Sequence, residues 1–245
     1  MKYYVLLLCV FSVFLSSCKN DDKEGSVTVH FVPYYDNQPL QIFSPKDFTG
    51  IEKVQFMHLS FLLSDLALLD GSGSTELKDV ELVDMSFDDL QDATEGFTIT
   101  IDNLAEGDYD GIRFGVGLPP DVNDSTPNQY ASSHPLSKNS YYWTAWNSYI
   151  FLKIEGTLDT LGTGLFDTGF AFHTGTDALY TILETNNIPI SILDGENTDI
   201  HIAIDYKDLL QGIDIKANPQ NHDPGDIQQI GAIVNNLQTA VTLFQ

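Results

Sequence analysis

The chain has 245 residues, of which 35 are Asp or Glu and 11 are Lys or Arg, so its formal net charge is −24. This balance argues against nucleic acid as a partner, because phosphate backbones need a basic surface, and against direct adsorption to an anionic bilayer. Hydrophobic residues make up 42% of the chain, which is enough for a core, and the length suits one large all-β domain.

The first residues have the pattern of a bacterial lipoprotein signal. Lys2 precedes an apolar run over residues 3–15, and Leu15-Ser16-Ser17-Cys18 follows. The run is shorter than the ~20 residues that cross a membrane, so it predicts a cleaved secretory signal over residues 1–17. The Leu-Ser-Ser-Cys sequence resembles a lipobox, and this resemblance implies a lipid on Cys18. The alternative is an ordinary signal peptide with an accidental Cys.

Residues 18–25 are polar and predict a flexible tether before a domain over residues 26–245. Acidic residues soon after Cys18 resemble the surface-export signal of Bacteroidetes lipoproteins. This resemblance implies an outer-membrane lipoprotein, on either the periplasmic face or the cell surface. Acyl chains would then supply the membrane affinity that the acidic body lacks. Because Cys9 lies in the signal and Cys18 would carry lipid, zinc–thiolate sites and Cys nucleophiles are excluded.

The body of the chain alternates between strand and turn patterns. Apolar alternation or short apolar runs predict strands over residues 27–32, 53–69 (one strand or two), 97–101, 112–116, 149–154, 169–173, 180–183, 188–193 and 199–206. Four prolines among Asp, Asn and Ser predict a long irregular loop over residues 118–139, a length typical of functional or mobile segments.

The C-terminal segment has a different period. One helix face is predicted by apolar residues spaced three or four apart, namely Ile227, Ile230, Val234, Leu237, Val241 and Phe244. The run Asp223-Pro224-Gly225-Asp226 is a helix start signal. Together the patterns predict an all-β fold, an antiparallel β-sandwich with a short C-terminal helix.

Motifs of common enzymes are missing from the sequence. There is no Gly-rich phosphate loop, no Gly-x-Ser-x-Gly and no His-Glu-x-x-His. A glycosidase-type carboxylate pair is the remaining hydrolase hypothesis, but among 35 acidic residues such pairs arise by chance. We therefore interpret the chain as a binding protein and not an enzyme.

Metal-ligand patterns are sparse. Residues 121–124 and 194–199 are acidic turns with oxygen donors of the kind that calcium prefers, although a solvated acidic turn is the ordinary alternative. The histidines are too far apart in sequence to form a local ligand pair, so a site would have to be assembled by the fold. They are His30, His58, His134, His173, His201 and His222.

The most unusual segment follows the Pro-rich loop. Residues 141–156 hold both tryptophans of the chain, Trp143 and Trp146, together with Tyr141, Tyr142 and Tyr149. One interpretation is a buried aromatic cluster, because aromatic side chains bury well. The other is a binding surface at the junction of loop and strand.

At this segment the chain resembles the MbnP family, secreted proteins associated with copper and methanobactin operons and similar to the methanotroph copper protein CorA. The resemblance extends over most of the domain in short motifs that occur in the family order. They are Gln38-Pro39-Leu40, Phe61-Leu62-Leu63-Ser64-Asp65-Leu66, Gly107-Asp108-Tyr109, His134-Pro135-Leu136, the aromatic segment with its Glu155-Gly156 end, and Phe172-His173-Thr174-Gly175.

The resemblance implies a β-sandwich and, as in some family members, a copper site. In those members a Trp is oxidised to kynurenine by a diheme partner of the cytochrome peroxidase type, and it then binds copper together with His. Here Trp143 matches the first Trp of the motif and His173 matches the His-x-Gly motif. His58 or His134 would provide a second ligand.

The chain departs from the family pattern at three positions. Ala145 stands where the second Trp is expected, and Trp146 comes one position later. Ser148 replaces the Gly before Tyr149, and Tyr141 stands where a copper-binding member has His.

Two hypotheses follow. The first is an envelope lipoprotein that binds copper through His and through Trp or oxidised Trp. The second is a surface module that binds a glycan or a partner protein, without metal, because Trp and Tyr dominate binding hot spots. Its binding surface would be Trp146, Tyr141, Tyr142 and Tyr149.

Overall fold

The computed structural model describes residues 23–221 and 227–244. The predicted signal over residues 1–17, Cys18, the tether up to Asp22, His222 and the predicted helix start at residues 223–226 lie outside the described residues.

In chain order the described residues form fourteen strands and four α-helices. The strands are β1 (Glu24–Tyr35), β2 (Gln38–Pro39), β3 (Lys46–Asp47), β4 (Lys53–Leu69), β5 (Ser74–Asp84), β6 (Phe97–Ala105), β7 (Gly107–Val116), β8 (Tyr142–Trp143), β9 (Ser148–Asp159), β10 (Thr168–Gly175), β11 (Thr181–Ile192), β12 (Asn197–Asp205), β13 (Gln220–Asn221) and β14 (Val241–Phe244). The helices are α1 (Leu90–Glu95), α2 (Pro120–Asn123), α3 (Tyr206–Leu209) and α4 (Ile227–Ala240). Within the described ranges, none of them has the length and apolar character needed to cross a membrane.

The strands form two sheets whose inner faces share one core, which confirms the predicted β-sandwich. The first sheet has the order β14-β12-β1, with β2 and β6 on the far side of β1, and the second has the order β11-β7-β4-β9-β10-β13. Strands β3 and β5 also pair with β4, and β8 pairs with β9. Most neighbours run antiparallel, whereas β1 and β12 run parallel, as do β10 and β13.

Alternation along the strands builds the core. On β1, Val27, Val29 and Phe31 are buried while His30 between them faces outward, as the two-residue period of a strand requires. The Phe31 ring meets Phe61 and Phe114 of the second sheet edge-on, with both pairs of ring centroids 5.5 Å apart. Helix α4 packs against β10, β11 and β12.

The structure resolves the long apolar segment, extends several predicted strands and joins the strands predicted over residues 180–183 and 188–193 into β11. Residues 53–69 form the single strand β4. Strand β1 starts at Glu24, three residues before the predicted start, so it includes the last two residues of the predicted tether. Strand β9 continues past Glu155 and Gly156 to Asp159, because both flanking strands, β4 and β10, keep pairing with it.

Two further differences concern elements that the periodicity did not reveal. Strand β5 was not predicted, because charged residues interrupt its apolar positions; Leu77 and Val80 are nevertheless buried against the long strand β4. The predicted helix stripe ends early: α4 stops at Ala240, and Val241 to Phe244 form β14, paired with β12. Pairing with an open sheet edge thus decided the conformation of the last four described residues.

A buried carboxylate fixes the loop between β9 and β10. Asp159 has no exposed surface, and it accepts backbone N–H groups of Leu161 at 3.1 Å and Gly164 at 2.6 Å, with those of Gly162 and Thr163 also directed at it. Burial by itself would raise the pKa of Asp159, but these hydrogen bonds favour the charged form and hold the pKa below its usual 3.8.

We expect Asp159→Asn to lower the melting temperature at neutral pH by several degrees, because an amide N–H₂ would face backbone donors. The pKa of Asp159 is lower in the folded state, so the carboxylate stabilises the fold above the unfolded-state pKa. This stabilisation is lost as the pH falls through the lowered value. The difference between the two proteins, measured by thermal unfolding, should therefore narrow on acidification. Asp167→Asn, at the exposed end of the same loop, should have little effect, and equal losses in both variants would contradict the role of Asp159.

Candidate metal and aromatic site

The outer face of the second sheet carries a second, smaller core. The Pro-rich loop crosses this face and covers its apolar residues with its own. The buried members are Leu62, Val80, Leu82 and Phe151 from the strands, Leu118, Leu136 and Tyr141 from the loop, and Tyr149 at the start of β9. The loop predicted as irregular is therefore a packed layer that holds the aromatic segment against the sheet.

Asn123 ties this layer to β9. Its side chain is almost fully buried, and its Oδ1 accepts the N–H of Tyr149 at 2.9 Å and the hydroxyl of Ser148 at 3.1 Å. Its Nδ2 donates to Asp177 at 2.8 Å, in the segment that follows β10. One amide side chain thus positions the start of β9 relative to the end of β10.

The three tyrosines of the segment mainly support this layer. Tyr149 is fully buried, its hydroxyl donates to the Leu136 carbonyl at 3.0 Å, and burial raises its pKa to about 12. Tyr141 is also buried, its hydroxyl lies 2.8 Å from that of Ser60, and burial raises its pKa. Tyr142 is half-buried and packs edge-on against Tyr149, with ring centroids 5.1 Å apart.

A tight turn brings the two tryptophans together. Strands β8 and β9 pair Trp143 with Ser148, and the Trp146 N–H donates to the Trp143 carbonyl at 3.0 Å. The first and fourth residues of such a turn lie close together, and the two indoles stack with centroids 4.6 Å apart and an interplanar angle of 14°. The shift of the second Trp from position 145 to 146 therefore places its ring over Trp143, whereas Ala145 is exposed.

Strand β10 lies against this pair. Its last residue, Gly175, leaves room for Trp146, because a Cβ at this position would lie 2.7 Å from the indole ring. Two residues earlier, His173 meets Trp143 edge-on, with ring centroids 6.1 Å apart. The spacing of the His-x-Gly motif thus fits the two indoles. His173 lies beside Trp143, and Gly175 leaves space for Trp146.

A carboxylate just past the predicted strand over residues 149–154 completes the site. Glu155 Oε1 lies 2.7 Å from His173 Nε2, and the His173 side chain is 14% exposed. Lys153, on the same face of β9, donates to the Ser140 carbonyl at 2.7 Å and lies 4.0 Å from the Tyr141 ring centroid. Burial lowers the pKa of Lys153, and Glu155 opposes that effect. Lys153 and Glu155 can be recognised in the sequence as polar residues two positions apart in an otherwise apolar strand, which places both on one face of the sheet.

The other two predicted ligands make contacts of their own, although His58 on β4 is the cross-strand partner of Glu155. His58 hydrogen-bonds through Nδ1 to Ser86 at 3.0 Å and through Nε2 to Ser60 at 2.9 Å, and Tyr141 lies 3.2 Å from Nε2. Both of its ring nitrogens therefore contact hydroxyls, and Nε2 lies beside the contact between Ser60 and Tyr141 that supports the loop.

His134 is part of the loop itself. Its Nδ1 accepts the Leu136 N–H at 3.1 Å, and its ring stacks on Tyr130 with centroids 4.4 Å apart. The fold thus brings His173, Trp143 and Trp146 together and gives His58 and His134 supporting contacts.

The described donor set near Trp143 is one imidazole and one carboxylate. Imidazole suits copper, and a carboxylate that holds the other ring nitrogen is the usual companion of a ligating His. Within residues 23–221 and 227–244, no three His, Cys, Asp or Glu side chains are arranged to hold a metal ion. The described residues therefore supply one imidazole ligand with a supporting carboxylate, and a copper site would need a further donor from Trp143 or its oxidised form.

The contacts of the two acidic turns do not support calcium binding at either of them. Asp194 accepts the backbone N–H of Glu24, and Asp199 bonds to His30 and Asn197. At the other turn, Asn123 is occupied by its contacts to β9 and Asp177. These side chains have structural partners in the fold.

Comparisons with known proteins agree with this architecture. The family model for MbnP matches residues 24–225. Among solved structures, MbnP from Methylosinus trichosporium aligns with a TM-score of 0.58 and 15% identity, over 90% of this chain and 98% of that one. At this identity the structural match shows a shared fold. A search of curated proteins gave no match.

We expect Gly175→Ala to displace Trp146 and break the indole stack, because the added methyl group would overlap its ring. The near-ultraviolet circular dichroism that arises from the stacked pair should fall markedly. Gly169→Ala, on the same strand, is the matched control, since a Cβ at Gly169 would meet no atom within 4 Å. An unchanged spectrum for Gly175→Ala would show that the packing between Trp146 and β10 is wrong.

Proposed function

The chain belongs to the MbnP family, and we propose that it binds copper at His173, next to Trp143. The observation that best supports the proposal is the hydrogen-bond contact of 2.7 Å between His173 Nε2 and Glu155, with the Trp143 ring centroid 6.1 Å from that of His173. In this proposal copper is the ligand that the protein binds, and it takes part in no catalytic step.

Glu155 has a positioning role in this proposal. A carboxylate that accepts a hydrogen bond from Nε2–H fixes the ring orientation and the tautomer in which the lone pair lies on Nδ1. It also makes the imidazole a better donor to the metal. Lys153, on the same face of β9, interacts electrostatically with Glu155 and partly offsets its negative charge.

Trp143 is the tryptophan that we assign to oxidation. Its ring lies 6.1 Å from the His173 ring, centroid to centroid, whereas Trp146 packs against Gly175. Conversion of Trp143 to kynurenine would place new nitrogen and oxygen donors beside the imidazole. A diheme protein of the cytochrome peroxidase type would be the oxidising partner, as the family resemblance implies.

We further propose that the protein acts in the cell envelope as an outer-membrane lipoprotein attached through Cys18. The signal-like segment and the Cys support this location, and the net charge of −24 means that the acyl chains would have to supply the membrane affinity.

We predict that His173→Ala weakens Cu(I) binding by at least tenfold and that Glu155→Gln weakens it by about tenfold, since loss of such a supporting carboxylate costs 10- to 100-fold in affinity. Competition with a coloured Cu(I) chelator measures both effects. His134→Ala and His201→Ala should bind as the wild type does. Equal affinity of the wild type and His173→Ala would overturn the proposal.

We predict that protein isolated from its native cells carries the mass change of kynurenine on the peptide that contains Trp143. Tandem mass spectrometry separates Trp143 from Trp146. Oxidation confined to Trp146 would contradict the assignment, and an unmodified pair would leave His173 and Glu155 to bind copper without the oxidised ring.

The glycan- or protein-binding hypothesis has less structural support. Tyr141 and Tyr149 are buried, and the two indoles cover one face of each other. Trp146→Ala should therefore leave binding to a broad glycan array unchanged, and a signal lost in this variant would favour the platform hypothesis instead.

A further inference from the structure

Three rings stack in a row across the outer face of the first sheet, on the other side of the sandwich from His173. His201 on β12 is the cross-strand partner of His30 on β1 and of Phe244 on β14. Its ring stacks on His30 with centroids 4.3 Å apart, and on Phe244 with centroids 5.1 Å apart. Because cross-strand partners share one face of a sheet, the strand register aligns the three rings. We call them the ring stack.

The hydrogen bonds of His30 require its charged form. Its Nδ1 lies 3.0 Å from the carbonyl oxygen of Glu95, at the end of α1, and its Nε2 lies 3.2 Å from Asp199 Oδ1. A carbonyl oxygen and an ionised carboxylate only accept hydrogen bonds, whereas a neutral imidazole has a single N–H to donate. His30 can therefore hold both partners only as an imidazolium, whose positive ring lies against His201.

His201 lies between this cation and a hydrocarbon ring, a position that favours its neutral form. Burial lowers the pKa of His201 and the charge of His30 lowers it further, while Asp199 opposes both effects. Within the described residues these are the charged groups that act on the ring, because β14 carries no charged side chain. Thr98 of β6, opposite His30, is uncharged as well.

Strand β14 has few other contacts to hold it. It is four residues long, and in the part of the chain that the structure describes it pairs with β12 alone. Val241 and Leu243 pack partly buried against the core. Phe244 is 39% exposed, and its ring contacts are His201 and the more distant Tyr34, with centroids 6.2 Å apart. A short edge strand of this kind opens locally at low cost.

We propose that the ring stack is a pH-sensitive clamp on β14. At neutral pH the uncharged His201 ring holds Phe244, and with it β14, against β12. On acidification His201 takes up a proton from solvent, and two positive rings then lie 4.3 Å apart. Their repulsion drives His201 out of the stack, Phe244 loses its partner, and β14 opens while the rest of the sandwich stays folded. The clamp is independent of copper, since it lies on the opposite sheet.

The direction of the pH dependence follows from the lowered pKa of His201. The ring binds a proton less readily in the closed stack than in the open strand. The clamp is therefore fully stable above the usual His pKa of 6.5 and is lost as the pH falls below it.

Hydrogen–deuterium exchange followed by mass spectrometry tests the proposal, with each rate corrected for the intrinsic effect of pH on exchange. Between about pH 7.5 and about pH 5, protection of the amides of Val241 to Phe244 should fall by at least about fivefold. Strand β11, at the edge of the second sheet, contains no histidine and should keep its protection.

Three variants separate the clamp from a general effect of acid. His201→Gln cannot be protonated, so protection of β14 should no longer depend on pH, even where loss of the stack weakens it at pH 7.5. His30→Gln should lose less protection than the wild type, because no cation opposes the second charge. His134→Gln, in the loop on the other sheet, is the matched control and should behave as the wild type does. Unchanged protection of β14 in the wild type, an equal fall in His201→Gln, or an equal fall in β11 would each refute the clamp.

Discussion

The apolar outer face of the second sheet is the constraint on which the rest of the site depends. A sandwich buries the inner faces of its sheets, but Leu62, Val80 and Phe151 lie on the outer face, where water would meet them. Covering them stabilises the fold, since each buried aliphatic or aromatic side chain contributes about 1.5–3 kcal/mol. The Pro-rich loop is the cover, and its prolines and short 3-10 turns let it cross the sheet without needing strand partners.

The aromatic segment takes its position from that cover. The loop ends in Tyr141, which packs into the second core, and Asn123 ties the loop to the start of β9. The hairpin that follows has little freedom, so its two indoles stack over the end of β10. Packing therefore positions the residues of the proposed copper site. His173 and Glu155 lie on neighbouring strands of the sheet, and the packed loop places Trp143 beside them.

Particular residues show how far the sequence led towards the site. His173 and Trp143 were selected from motif order, and the fold places them side by side. His58 and His134 were selected as well, yet hydroxyl and backbone partners engage their ring nitrogens. Glu155 was missed because its position at the end of an apolar run looked like the end of a strand. Its pairing with His173 depends on the register of β9 and β10, which is a long-range property.

The sequence by itself determined the family, the all-β sandwich and the identity of the informative aromatic segment, because motif order and two-residue periodicity are local properties of the chain. Only the tertiary structure decided which histidine meets a tryptophan, that Val241 to Phe244 form a strand after α4, and that His30, His201 and Phe244 stack across the first sheet. The physical reason is that strand register, edge pairing and loop docking are set by contacts between residues far apart in the chain. Local patterns restrict such contacts but do not specify them.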